Sequence, residues 1–165
     1  LARAIPVDYG CGMDVALLRK VKIFGGLNST QLAKLAGICL EKKIGAGEHL
    51  FKEGDQGAEM FIIEKGRVRI SKNVPGIGEE ALAILEPGQY FGEMALIDDS
   101  PRSADAIIHA PATLQVITKE ALDELMFVDK ELAYILLWTF VRTLSERLRE
   151  TDDKIKAFFA LSSFK

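Results

Sequence analysis

Apolar residues recur at steps of three and four over the first forty positions. Val15, Leu17, Leu18 and Val21 share one face of a helix over residues 14–21. After a break at Ile23-Phe24-Gly25-Gly26-Leu27, Leu32, Leu35, Ala36, Cys39 and Leu40 predict a second helix. Asn28-Ser29-Thr30-Gln31 stands at its start, where a polar side chain can cap free amides. Over residues 41–117 the period changes. Glycines punctuate short apolar runs: His49-Leu50-Phe51, Met60-Phe61-Ile62-Ile63, Val68-Arg69-Ile70, Leu82-Ala83-Ile84-Leu85, Ala106-Ile107-Ile108 and Leu114-Gln115-Val116-Ile117. Glu64-Lys65-Gly66-Arg67 reads as a hairpin turn, and Val68 and Ile70 then alternate with polar neighbours. Many short strands at such spacing predict a sandwich or barrel. Residues 119–126 read as a short helix. From Lys130 a long one carries Ala133, Leu137, Phe140, Leu144, Leu148 and Ile155 in a seam of period about 3.5. The pattern weakens after Arg149, and residues 161–165 read as a frayed end. The fold class is α+β, mainly β.

Composition narrows the function. The chain has 165 residues, 48% hydrophobic and 27% charged, which fits one globular domain. Its net charge of −3 gives no basic excess for a broad nucleic-acid surface. Cys11 and Cys39 match no zinc or CxxC spacing, so a reduced, cytoplasmic chain without a metal site is expected. The longest strongly apolar run, residues 132–141, is about half of what a bilayer crossing needs, so no membrane segment is expected. The chain begins at Leu1 rather than Met, consistent with an excised or processed piece.

The chemistry concentrates in residues 87–104, which do not alternate like a strand. Gly92 opens Glu93-Met94-Ala95-Leu96, a candidate helical turn whose first amides make an anion site. Ser100-Pro101 then bends the chain, and Arg102 follows with a planar fork suited to phosphate oxygens. Ionised Glu93 only accepts hydrogen bonds, so it would repel phosphate and hold sugar hydroxyls. Together these groups would read one phosphate and one ribose. His49 and His109 stand alone and read as ordinary strand or loop residues; Asp98 and Asp99 read as exposed loop acids. There is no Ser–His–Asp set, P-loop or acid–base pair, so an enzyme is not expected.

Phe91-Gly92-Glu93-Met94-Ala95-Leu96 followed by Pro101-Arg102-Ser103-Ala104 resembles the phosphate-binding cassette of cyclic-nucleotide-binding domains. That module is shared by bacterial catabolite activators, cyclic-nucleotide-dependent kinases and cyclic-nucleotide-gated channels. The likeness extends through residues 47–55, 60–68 and 85–90, and covers residues 23–145. It implies an eight-stranded jelly-roll β-barrel flanked by N-terminal helices and a long C-terminal helix. It divides the chain into an N-terminal helical segment (1–22), a cyclic-nucleotide-binding domain (23–145) and the end of the last helix with its tail (146–165). It implies that Arg102 pairs with the cyclic phosphate, that Glu93 accepts from the ribose 2′-OH, that Gly92 lets the backbone come close, and that the Glu93, Met94 and Ala95 region supplies amide donors. Ser103 stands where relatives touch phosphate or base. A hydroxyl there can favour cGMP, yet bacterial activators with serine there prefer cAMP, and cAMP is the expected ligand. The last helix would be a lid over the base, with Arg142, Leu144 and Arg147 its candidate residues.

The expected function is therefore a sensor whose ligand closes the last helix and regulates a partner or attached domain. The alternative is a binding-dead barrel serving as a dimerisation or interaction scaffold. The helical seam has two readings, packing on the domain's own barrel in its upper part and a homodimer coiled coil in its lower part. Trp138 reads as core or interface. Too few residues follow Ile155 for a helix-turn-helix, so no DNA-binding domain is expected in this chain.

Overall fold

A computed structural model describes residues 13–98 and 100–162, the side chains as far as residue 160. The expectations for residues 1–12 with Cys11, for Asp99 and for the end of the tail lie outside the described residues.

Local chemistry sets the helices. Helix α1 (Val15–Lys20) starts where the Asp14 carboxylate accepts the Ala16 N–H at 2.8 Å. A 3₁₀ turn (Lys22–Phe24) follows at the expected break. Helix α2 (Ser29–Ala36) opens on a reciprocal capping box: Asn28 Oδ1 accepts the Gln31 N–H, and Gln31 Oε1 accepts the Asn28 N–H. The helix ends at Ala36, earlier than the apolar spacing suggests. Gly37 stops it; Cys39 is buried, but Leu40 begins a strand.

Among the described residues six strands follow: β1 (Leu40–Ile44), β2 (His49–Phe51), β3 (Glu59–Val74), β4 (Gly78–Leu85), β5 (Tyr90–Phe91) and β6 (Asp105–Thr118). All pairings are antiparallel, in the order β1–β6–β3–β4, with β2 also on β6 and β5 on β3. The strand number differs from the expected eight because the chain does not reverse at residues 64–67. It runs on through Gly66 as one long strand and shifts register against β6 there. Gly66 has φ +84°, and a Cβ on it would lie 2.2 Å from the Pro111 carbonyl oxygen. A left-handed glycine facing a proline gives a bulged bend rather than a hairpin. Likewise β6 joins the two runs expected to be separate strands.

Burial in β3 follows the two-residue alternation of a strand with both faces covered. Met60 and Ile62 join Ile117 in a core with the helices. Phe61 and Ile63 join Phe91, Ile108 and Leu114 in a second core within the sheet.

Helix α3 (Lys119–Val128), capped by Thr118, leads into the 33-residue α4 (Lys130–Ser162). One stripe of α4, Leu132, Leu136, Phe140 and Thr143, is buried against the domain. Tyr134, Leu137, Trp138, Val141 and Leu148 are exposed on its other side. Ion pairs Lys34–Asp129 (2.7 Å) and Lys22–Glu146 (2.5 Å) fasten the start of α4 and its middle to the N-terminal helices. No helix among the described residues is long and apolar enough to cross a membrane.

Candidate functional site

Between β5 and β6 the chain makes a tight turn rather than a strand. Gly92 takes φ +76°, and residues Glu93–Leu96 form a single 3₁₀ turn. The Ala95 N–H closes that turn onto the Gly92 carbonyl at 3.2 Å. The turn's first two amides, of Glu93 and Met94, have no acceptor within it and are of a kind that can donate to an anion. The sequence grouped the Ala95 amide with them; here that amide serves the turn itself.

Arg102 lies 7% exposed at the floor of the same turn. Its Nη1 donates to the carbonyls of Glu59 (2.9 Å) and Gly92 (3.3 Å). Its guanidinium carbon sits 4.2 Å from the centre of the Phe51 ring, a cation–π contact. Its Nε is buried and has no hydrogen-bond partner. An unpaired buried donor costs about 1–3 kcal/mol, and such groups gather where a ligand completes the bonding. Burial pulls the guanidinium below its ordinary pKa, with Glu59 and Asp55 opposing; arginine's basicity keeps it charged.

Glu93 is 5% exposed, and Arg147 reaches down from α4 to pair with its carboxylate. Beside them, burial and then the Glu93 charge push the Tyr90 phenol up, while Arg147 and Thr143 pull it down. Glu93 thus joins the cassette to α4.

These groups face a cavity of about 340 Å³, within the size range of small-molecule sites. Gly92, Glu93, Met94, Ala95, Arg102 and Ser103 all line it, with exposed Ser103 at its rim. Phe51, Ile70, Ala83 and Leu85 add an apolar wall that suits a flat base. Of the three candidate lid residues only Arg147 lines the cavity. Arg142 lines a different groove with Gly26, Tyr134 and Trp138, and Leu144 lines neither. The difference is rotational. Arg147 continues the buried Leu136–Phe140–Thr143 stripe, whereas Arg142 lies five residues earlier, about 140° round the helix.

The sequence reading missed Phe51, Gly57, Tyr90 and the Glu59 carbonyl as parts of the site. Gly57 looked like turn punctuation; a Cβ on it would lie 2.3 Å from Arg102 Nε. Among the described residues, no group of three His, Cys, Asp or Glu is placed to hold a metal ion.

The family model "Cyclic nucleotide-binding domain" matches residues 41–129, more than half of the chain. The chain belongs to the cyclic nucleotide-binding domain family. The chain is 32% identical to cGMP-dependent protein kinase 2 of Mus musculus over 151 residues, 90% of this chain and 19% of the kinase. It is 28% identical over 139 residues to a CRP-like cAMP-activated global transcriptional regulator of Mycobacterium tuberculosis, covering 84% of this chain and 60% of that one. A solved cyclic nucleotide-binding domain from Methylobacillus flagellatus superposes with a TM-score of 0.77 at 27% identity, over 90% of this chain and 87% of that one. This cyclic nucleotide-binding domain spans less than a fifth of the length of the kinase relatives it matches.

Proposed function

We propose that this cyclic nucleotide-binding domain is a cyclic nucleotide monophosphate sensor with cAMP favoured over cGMP. Its ligand would hold α4 closed over the site, and α4 would carry the signal to a partner or attached domain. The observation that carries the reading is the buried Arg102 guanidinium, with its partnerless Nε, in one cavity with the Glu93–Met94 amides and the Glu93 carboxylate. The phosphate would take the Arg102 fork and the amides; the ribose 2′-OH would donate to Glu93. A carboxylate has two oxygens, so Glu93 can hold both the ribose and Arg147. The chemistry needed is charge pairing and orientation, with no reaction step, so no catalytic role is assigned within these residues. In this reading the sensor core is residues 23–145, and the bend at Gly66 counts as a corner of a jelly-roll barrel.

The base preference rests on Ser103 and on kinship, which divides: the kinase relative is named for cGMP and the transcriptional regulator for cAMP. The ribose assignment is tested with 2′-deoxy-cAMP. The intact chain should bind it at least tenfold more weakly than cAMP, about 1.4 kcal/mol for the lost bond, and Glu93→Ala should erase the difference. Equal binding of both nucleotides by the intact chain would remove Glu93 from the ribose role.

The exposed side of α4 supports a homodimer. Tyr134, Leu137, Val141, Leu144 and Leu148 fall at three- and four-residue steps, Ile155 and Phe158 resume the pattern seven residues on, and all are exposed. Two copies paired along this seam would bury it, and sedimentation equilibrium reads the outcome.

A further inference from the structure

Residues 52–58 join β2 to β3 and are tied down along their length. The Asp55 carboxylate accepts the Lys52 N–H at 2.8 Å, and the Asp55 N–H donates back to the Lys52 carbonyl at 3.1 Å. The Glu53 N–H donates to the Asp105 carboxylate at 2.6 Å. At the far end the Lys119 N–H donates to the Ala58 carbonyl at 2.7 Å. Two further bonds zip the segment to the backbone of Arg102. The Gly54 N–H donates to the Arg102 carbonyl, and the Arg102 N–H to the Asp55 carbonyl, both at 2.8 Å. Gly57 therefore has a fixed place relative to Arg102.

At that place its bare Cα lies against the guanidinium. A Cβ on Gly57 would stand 2.3 Å from Arg102 Nε and 2.5 Å from both Cζ and Nη2. The residue is not among the positive-φ glycines, so its backbone conformation is open to alanine. The demand for glycine comes from the space that the guanidinium fills. Phe51, at the other end of the same loop, supplies the ring beneath that group.

We propose that Gly57 is a positioning residue for anion recognition: by leaving room beside Phe51, it lets the Arg102 guanidinium lie in its buried place with Nη1 on the Glu59 and Gly92 carbonyls. The inference rests on Arg102 being the phosphate contact. It places the control of that contact in the β2–β3 loop, remote in sequence from the cassette. Any side chain at position 57 moves the fork off its two carbonyls and off the geometry that receives a phosphate. Only the far end of a flexible side chain has to give way, so the fold survives the change.

The test is a four-variant cycle: the intact chain, Gly57→Ala, Arg102→Lys and the double variant. Each is titrated with cAMP and with cGMP by calorimetry, with its urea midpoint measured in parallel. Gly57→Ala should lose on the order of tenfold in affinity while still unfolding cooperatively, with at most a modest drop in its urea midpoint. In the Arg102→Lys background the same change should matter less than about twofold, because an ammonium lacks the displaced plane. Equal losses from Gly57→Ala in both backgrounds, or none in either, would overturn the proposal. Intact chain and Arg102→Lys binding alike would instead remove Arg102 from the phosphate role, a separate failure. Where Arg102→Lys binds too weakly to titrate, the Arg102 Nε–H resonance of the ligand-free chain decides. It should shift or exchange faster in Gly57→Ala; an unchanged resonance would contradict the proposal.

Discussion

The pair between Glu93 and Arg147 ties the cassette to α4, and its energetics are asymmetric. The Glu93 side chain is 6% exposed and the Arg147 side chain 47%. Replacing Arg147 with methionine leaves a buried carboxylate without its cation. Breaking a fully buried pair costs about 3–5 kcal/mol; Arg147 keeps half its surface in water, so the loss here should be about 1–2 kcal/mol. In a chain of this size that lowers the melting temperature by about 2–8 °C. Glu93→Gln is milder, because the arginine left behind can turn to solvent: about 0.5–1 kcal/mol. In the double variant the neutral amide needs no cation, so adding Arg147→Met to Glu93→Gln should cost little. Urea denaturation of the four proteins should therefore show a coupling of about 1 kcal/mol. Losses that add within about 0.3–0.5 kcal/mol would refute an energetic bond between cassette and helix, and with it the proposed route by which a ligand on Glu93 would move α4.

Gly66→Ala should cost about 3 kcal/mol in urea denaturation, from the left-handed φ and the collision with Pro111 together. Gly76→Ala is its control: φ is +81° but nothing lies within 4 Å, so only the conformational part, about 1 kcal/mol, should appear; equal costs would refute the steric account of the bend. Glu146 is held below the ordinary carboxylate range by its hydrogen bond from Lys22, and Asp129 by those from Lys34 and then the Leu132 N–H. Carboxyls lowered in the folded state contribute stability above their ordinary range and lose it as pH falls through the folded values. Melting temperature should therefore hold between pH 7 and about 5 and fall below about 4. The fall should be shallower in Lys22→Met/Lys34→Met; an unchanged slope would show that these pairs do not couple to folding.

What the sequence revealed is local chemistry. The polar cap within Asn28–Gln31 spans four residues, and the cassette from Gly92 to Ser103 spans twelve, so residue types and spacing carry both, although the reciprocal bonding of Asn28 and Gln31 is seen only in the structure. What it hid depends on partners distant along the chain. Residues 40–44 read Leu-Glu-Lys-Lys-Ile, too charged to suggest a strand, and β1 exists because β6 pairs with it along its whole length. Gly66 with positive φ serves a hairpin or a bend equally well, and only Pro111 across the sheet decides. Glu59, whose carbonyl holds Arg102, lies 43 residues away from it. Gly57 is likewise remote, and as a glycine it has no side chain to advertise a role. On α4 the arginine that lines the cavity was within reach. The face carrying Leu136, Phe140 and Thr143 passes through residue 147 and misses residue 142, so a stricter helical count would have separated the two.

Calorimetric titration of the purified chain with cAMP and then cGMP, repeated on Arg102→Leu, tests the central claim most directly. The account predicts micromolar or tighter binding, with cAMP ahead. For Arg102→Leu it predicts a loss of about 3 kcal/mol, roughly two decades in affinity, with the fold intact. No heat and no thermal shift with either nucleotide, or equal affinity of mutant and intact chain, would contradict it and favour a domain that serves as a dimerisation scaffold.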